Sequence, residues 1–269
     1  MIQLHLGKKT CALLGAISLV AMIAGYSLLS WHQHQINAGD TTIPTGSQLV
    51  RGLTQMFVAS DRTGERWVVL DGEATALRLV LGMTLGVSGA VALGILMGCF
   101  RAIEAFCAPP LTLLAKVPPT AALAVFFVMA GTDTRMYAVM IAFGILPTLA
   151  QAVYLAVRDV PEELLHKAYT LGASHLEVMY CIITRHCLPK ILDAIRLQLG
   201  PALVYLIAAE MVCGDVGFGY RIRLQSRLLN MNVVYPYLVI LAGFGFTADY
   251  ALRRLRSACC PWASKEPAA

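Results

Sequence analysis

Long apolar runs alternate with short polar ones along this chain, and the apolar runs are too long for strands or ordinary core helices. Six of them, at 11–30, 74–99, 109–131, 136–157, 189–213 and 233–252, suit the about 20 residues a helix needs to cross a bilayer. They predict an all-α membrane protein built as a six-span helical bundle. The polar stretch 158–189 stands apart. It is too charged for lipid, yet Leu164, Leu165, Ala168, Leu171, Leu176 and Met179 recur at helical spacing, interrupted once at Gly172. Pro161 and Glu162-Glu163 suit a helix start, Gly172 breaks the helix, and Ser174 is placed to cap a second one, with Leu188-Pro189 leading into the fifth span. Two short amphipathic helices hinged at a glycine form a docking surface for something outside the membrane.

The spans carry their own pattern. Gly82, Gly86, Ala90, Gly94 and Gly98 recur every fourth residue, leaving one helix face almost without side chains. Such a face predicts either close packing against a neighbouring helix or a helix that slides during a transport cycle. Pro109-Pro110, Pro118-Pro119, Pro147 and Pro201 predict bent helices around a path. The polar segment 31–73 is predicted to face outward. Within it, Pro44 and Gly46 start a short helix with Leu49, Leu53 and Phe57 on one face.

Composition narrows the reading. The chain has 269 residues, 14% of them charged, where a soluble domain carries about 25%. The spans leave no room for a separate soluble catalytic domain. The net charge of +5 reflects membrane topology rather than a nucleic-acid footprint. Lys8, Lys9, Arg101, Arg158, Lys167, Arg185, Lys190, the arginines at 253, 254 and 256, and Lys265 fall on one side. Fewer, at Arg51, Arg62, Arg66, Arg135, Arg221, Arg223 and Arg227, fall on the other. That bias predicts cytoplasmic N- and C-termini and a cytoplasmic 158–189. The first run, Cys11 to Ser30, exceeds a signal-peptide core and is followed by no A-x-A site, so it reads as a retained anchor. The eight cysteines form no C-x-x-C pair, and Cys181, His186 and Cys187 with His175 match no familiar zinc spacing, so no metal site is expected.

Glu210 is an acid deep in an apolar run and therefore a functional candidate, as a gate or a structural hydrogen bond. The following GDVGFGYRIRLQSR either lines a path for an anionic solute through Arg221, meets a binding protein, or is a glycine-rich re-entrant turn.

Several segments together resemble one family. HKAYTLGAS followed by LPK is similar to the cytoplasmic EAA loop in permease subunits of type I ABC importers. IPTGSQLVRGL, LLAKVPPTAALAVFFVMAG, VRDVPEELLHKAYTLGAS, RLQLGPALVYLIAAEM and GDVGFGYRI extend the match in order over nearly all of 43–256, toward the nitrate/sulfonate/taurine branch. The resemblance implies an ATPase-coupling set of Glu163, His166, Lys167, Ala168, Leu171, Gly172 and Ala173, with Gly172 as the loop glycine and Ala168 as the second alanine of the triplet. His166-Lys167 stand where the triplet has Glu-Ala, and Thr184-Arg185 replace the first Leu-Pro. It further implies an anchor segment 1–73, a permease core 74–256 with coupling loop 158–189, and a cytoplasmic tail 257–269. The implied partners are cytoplasmic ABC ATPases, which bind the ATP and Mg, an external solute-binding protein and a second permease copy in a homodimer. The implied location is a bacterial inner membrane, with no cofactor in the chain itself and no nucleic acid. The expected solute is a small anion such as a sulfonate, taurine or nitrate.

Two other classes compete. An ion-coupled secondary transporter would carry midplane ionisable residues and inverted repeats; only Glu210, Arg78 and Lys116 approach that description and no repeat is apparent. A membrane enzyme lacks a nucleophile–base pair in the spans. LGKKT is no phosphate loop, because Ile2 stands where its upstream glycine belongs and Lys9 separates Lys8 from Thr10.

Overall fold

The structure, a computed structural model, describes residues 7–37, 39–58 and 66–263. Arg62 and Lys265, two of the charges weighed for orientation, lie outside these, as do 264–269 of the tail. Helix is the regular structure throughout the described residues. The helices are α1 (Lys8–Ile36), α2 (Gly46–Phe57), α3 (Trp67–Cys99), α4 (Arg101–Leu114), α5 (Leu123–Ala130), α6 (Thr134–Arg158), α7 (Glu162–Thr170), α8 (His175–Glu177), α9 (Thr184–Cys213), α10 (Phe218–Arg227) and α11 (Met231–Cys259). A π-helical turn, Val178–Ile183, joins α8 to α9 without a break.

Among the described residues five helices are long and apolar enough to cross a membrane: Leu13–Ile36, Trp67–Cys99, Thr134–Arg158, His175–Cys213 and Met231–Cys259. The remaining predicted span, 109–131, is broken into α4 and α5. Pro118 and Pro119 offer no N–H to the carbonyls of Leu114 and Ala115, and each proline pushes its predecessor out of helical geometry. The backbone turns through 115–122 and resumes at Leu123. Helix α4 also reaches back to Arg101, across the segment between the second and third predicted spans. The fifth span differs too. Pro189 lies inside α9 instead of heading it. The ladder has already shifted by one residue in the π turn, where the Thr184 hydroxyl donates to the Met179 carbonyl at 2.8 Å.

Two compact units make up the chain. The first is drawn from Met1–Trp67 and Ile222–Leu238. In it Tyr26 donates to the Pro44 carbonyl at 2.8 Å, and Ser30 donates to those of Ile43 and Pro44. Helix α2 buries Gly52 and Met56 rather than the predicted Leu53 and Phe57, which stay exposed. The cause is Gly52, whose absent Cβ leaves room for the Asn232 carbonyl.

The second unit comprises Val68–Arg221 and Val239–Ala269. Its central element is α6, which buries residues from Met136 to Val157 and joins two apolar clusters. The small-residue stripe of α3 packs on it. A Cβ at Gly82 would meet Ile141, at Gly86 Ile145 and the Ala142 backbone, at Gly94 Val153, and at Gly98 Val157. The face therefore serves close packing within the chain, one of the two uses its sequence suggested. Gly86→Ala places a methyl 2.6 Å from Ile145 Cγ1 and 2.9 Å from Ala142 Cα. It should cost about 1–3 kcal/mol, read as a lowered thermal midpoint of the detergent-purified protein; an unchanged midpoint would contradict the packing.

Candidate functional site

Two assemblies stand out, one at each end of α9. The first is the predicted coupling segment. Helix α7 begins with Glu162 and Glu163 in its first turn and ends at Thr170, with Leu171 as its C-cap. The Gly172 N–H donates to the Tyr169 carbonyl and the Ala173 N–H to that of Ala168, the paired closure of a helix by a left-handed residue. Gly172 supplies that residue at φ +84°. Ser174 then caps the next helix as expected. Its hydroxyl accepts from the Glu177 N–H, and its own N–H donates to the Glu177 carboxylate at 2.7 Å. The Tyr169 ring packs edge-on against His175 across the turn, with Tyr169 Oη 3.0 Å from His175 Nδ1.

This helix pair has a buried side and an open side. Ala168 is buried with Val178, Ile183 and Cys187, and Leu165 and Ala173 pack beside them. Glu163, His166, Lys167 and Gly172 are exposed. So are Leu171 and Leu176, at 89% and 63%. Two open leucines therefore flank the turn, beside the charges of Glu163, His166 and Lys167. Lys190 Nζ, 3.0 Å from Asp159 Oδ2, ties α9 to the end of α6. Ser174→Ala should cost about 0.5–1 kcal/mol of local stability, seen as faster amide exchange over 175–179 with exchange in α6 unchanged; equal exchange would remove the cap from the account.

The second assembly explains Glu210, whose surface is fully buried. The turn after Gly214 leads into α10, and the first N–H groups of that helix need acceptors. Side chains from other helices supply them. Asp71 accepts from Gly217 N at 3.0 Å, Thr75 Oγ1 from Phe218 N at 3.0 Å, and Glu210 Oε2 from Gly219 N at 2.9 Å. Two carboxylates thus sit at the positive end of the α10 dipole. Two guanidiniums balance them. Arg78 Nη1 lies 2.9 Å from Glu210 Oε1 and also donates to the Val216 carbonyl, while Arg221 Nε lies 2.8 Å from Asp71 Oδ2. The Arg78 guanidinium stacks 4.1 Å over the Tyr137 ring. Gly217 and Gly219 permit this approach, since a Cβ at either would strike Glu210.

Glu210 and Arg221, singled out by sequence, therefore occupy one cluster, but each pairs with a different α3 residue. GDVGFG is not a wholly irregular loop: it is a turn that becomes helical at Phe218. Sequence reading missed Asp71 and Thr75 and undervalued Arg78. The signal was present, because 71, 75 and 78 continue the helical face of 82, 86, 90, 94 and 98. Among the described residues no three His, Cys, Asp or Glu side chains gather as a metal-ligand set.

Residues 90–258 match the model of a family described as the binding-protein-dependent transport system inner membrane component. The chain is 27% identical over 189 residues to the taurine transport system permease protein TauC of Escherichia coli, covering 70% of this chain and 69% of that one. It is 27% identical over 222 residues to a putative aliphatic sulfonates transport permease protein, SsuC, of Bacillus subtilis, covering 82% and 78%. Among solved structures, an inward-facing conformation of the MetNI methionine ABC transporter superposes with a TM-score of 0.56 at 17% identity, covering 79% of this chain and 96% of the other. That likeness concerns the fold.

Proposed function

The chain belongs to the binding-protein-dependent transport inner membrane components, and from that premise we propose that it carries a sulfonate or related small organic anion. It is a non-catalytic permease subunit of an ABC importer, a multi-pass membrane protein that works with an ATPase and a binding protein. The names of the taurine and sulfonate relatives support the proposed solute class. In this reading the termini are cytoplasmic, two copies of the chain form the path, and ATP and Mg reside in the ATPase. Residues 74–256 are the permease core behind the anchor 1–73, and α4 and α5 together make the discontinuous crossing.

The observation that carries the coupling role is the exposed apolar edge of Leu171 and Leu176 beside Gly172, on a helix anchored by buried Ala168. ATPase closure pushes on α7 and α8, and because α8 is continuous with α9, the push travels along one rigid rod. Glu163, His166 and Lys167 form the charged rim of the contact. With His166-Lys167 where the triplet has Glu-Ala, the charge there is reversed and the facing ATPase groove is expected to be acidic. The buried cluster of Asp71, Arg78, Glu210 and Arg221 serves as a gate element at the far end of that rod rather than as a solute ligand, since its carboxylates and guanidiniums engage one another.

Affinity purification of the intact complex from native membranes, with identification of the co-purifying chains, tests this reading. An ATPase and a permease of this one sequence should appear together. A complex without an ATPase, active under an ion gradient alone, would favour an ion-coupled secondary transporter. Competition of uptake by taurine and alkanesulfonates tests the solute class.

A further inference from the structure

Guanidiniums from two helices crowd around one cavity near the end of α11. Arg196 comes from α9, and Arg253 and Arg256 lie about one turn apart on α11. With Ser257, Cys260 and Ala263 they line a space of about 300 Å³. Two carboxylates hold the arginines in place. Asp249 lies 2.9 Å from Arg196 Nε and 2.8 Å from Arg253 Nε, and Asp193 lies 3.1 Å from Arg256 Nη2. Three arginines against two aspartates leave a positive charge in excess. Each guanidinium carries five N–H donors in a fixed fork, and these ion pairs engage only some of them. Arg256 Nε is buried and has no acceptor among the described residues. An anion entering the cavity would accept from the guanidinium N–H groups that the two aspartates leave unengaged.

We propose that this cavity binds a phosphate group. Its several oxygens suit converging guanidinium forks better than a single carboxylate does. The C-terminal end of the α11 dipole opposes an anion, and the arginine cluster outweighs it. The site lies where a membrane-crossing helix ends, the level at which anionic lipid headgroups meet basic pockets between helices. An anionic phospholipid headgroup and free phosphate share this chemistry, and the test separates them.

The full-length chain, purified in detergent, is unfolded thermally with added phosphatidylglycerol, phosphatidylcholine, inorganic phosphate, or chloride at matched ionic strength. A saturable upward shift of the midpoint is expected with phosphatidylglycerol or with inorganic phosphate, and not with chloride. A shift with the lipid alone identifies a headgroup site; a shift with phosphate identifies a soluble ligand. Arg256→Gln should weaken the apparent affinity about tenfold. Because Arg256 also pairs with Asp193, Ser257→Trp provides the second variant: it fills the cavity, leaves every ion pair intact and should abolish the shift. No saturable shift in the native chain, or the same shift in Ser257→Trp, overturns the proposal.

Discussion

Arg78→Met, with Glu210 left in place, should destabilise the chain by about 3–5 kcal/mol and abolish uptake. The native pair is balanced: Glu210 is fully buried, the Arg78 side chain is 8% exposed, and the two meet at 2.9 Å. Removing the guanidinium strands a carboxylate where water does not reach, and also frees the Val216 carbonyl. The partner loss should exceed the loss of the pair. The double variant Arg78→Met with Glu210→Met should therefore be less damaged than the two single changes summed, although α10 then loses one acceptor at Gly219. Glu210→Gln is the milder probe of the gate. Its amide keeps one acceptor oxygen where the native carboxylate answers Arg78 with Oε1 and Gly219 with Oε2. Thermal midpoints of the purified variants and uptake in reconstituted vesicles provide the measurements. An Arg78→Met protein with native midpoint and native uptake would contradict the account of the cluster, and native uptake in Glu210→Gln would confine Glu210 to a structural role.

Gly172→Trp should leave insertion and assembly intact while ATP-dependent uptake is lost. A Cβ at position 172 meets nothing within 4 Å, so the indole has open space inside this chain. Its intramolecular cost is the left-handed backbone at φ +84°, about 1–2 kcal/mol for a side chain with a Cβ. The damage falls on the partner instead, because the ring projects from the surface that presents Leu171 and Leu176. ATPase activity in the complex should then lose its dependence on the solute-loaded binding protein. Full ATP-dependent uptake would sink the coupling role of this turn, and loss of insertion would show the residue to be structural. Gly172→Ala separates backbone from bulk, since it adds the strain without the ring.

Local patterns made part of this molecule legible. The coupling segment is the clearest case. Glu162-Glu163 at the first turn, the left-handed closure at Gly172 and the Ser174–Glu177 box all depend on residues within five positions of each other, and such contacts can be read from order alone. The small-residue stripe of α3 was equally readable as a face, though its partner Ile141, Ile145, Val153 and Val157 was not, because that choice depends on which helix arrives beside it. The break at Pro118-Pro119 was underestimated. Apolar residues dominate 109–131 around Lys116, and composition does not register the backbone donors those prolines remove. The opposite error occurred at Pro189, which the helix passes through after starting at Thr184.

Sequence by itself determined the all-helical membrane character, the family resemblance and the hinge between α7 and α8, since span length, periodicity and turn chemistry are properties of neighbouring residues. Only the tertiary structure decided what Glu210 is paired with. Asp71, Thr75 and Arg78 lie more than 130 residues away from it, yet they converge on the start of α10. A buried charge is tolerable only beside its counter-charge, and which residues fill that place is settled by packing across helices distant in sequence.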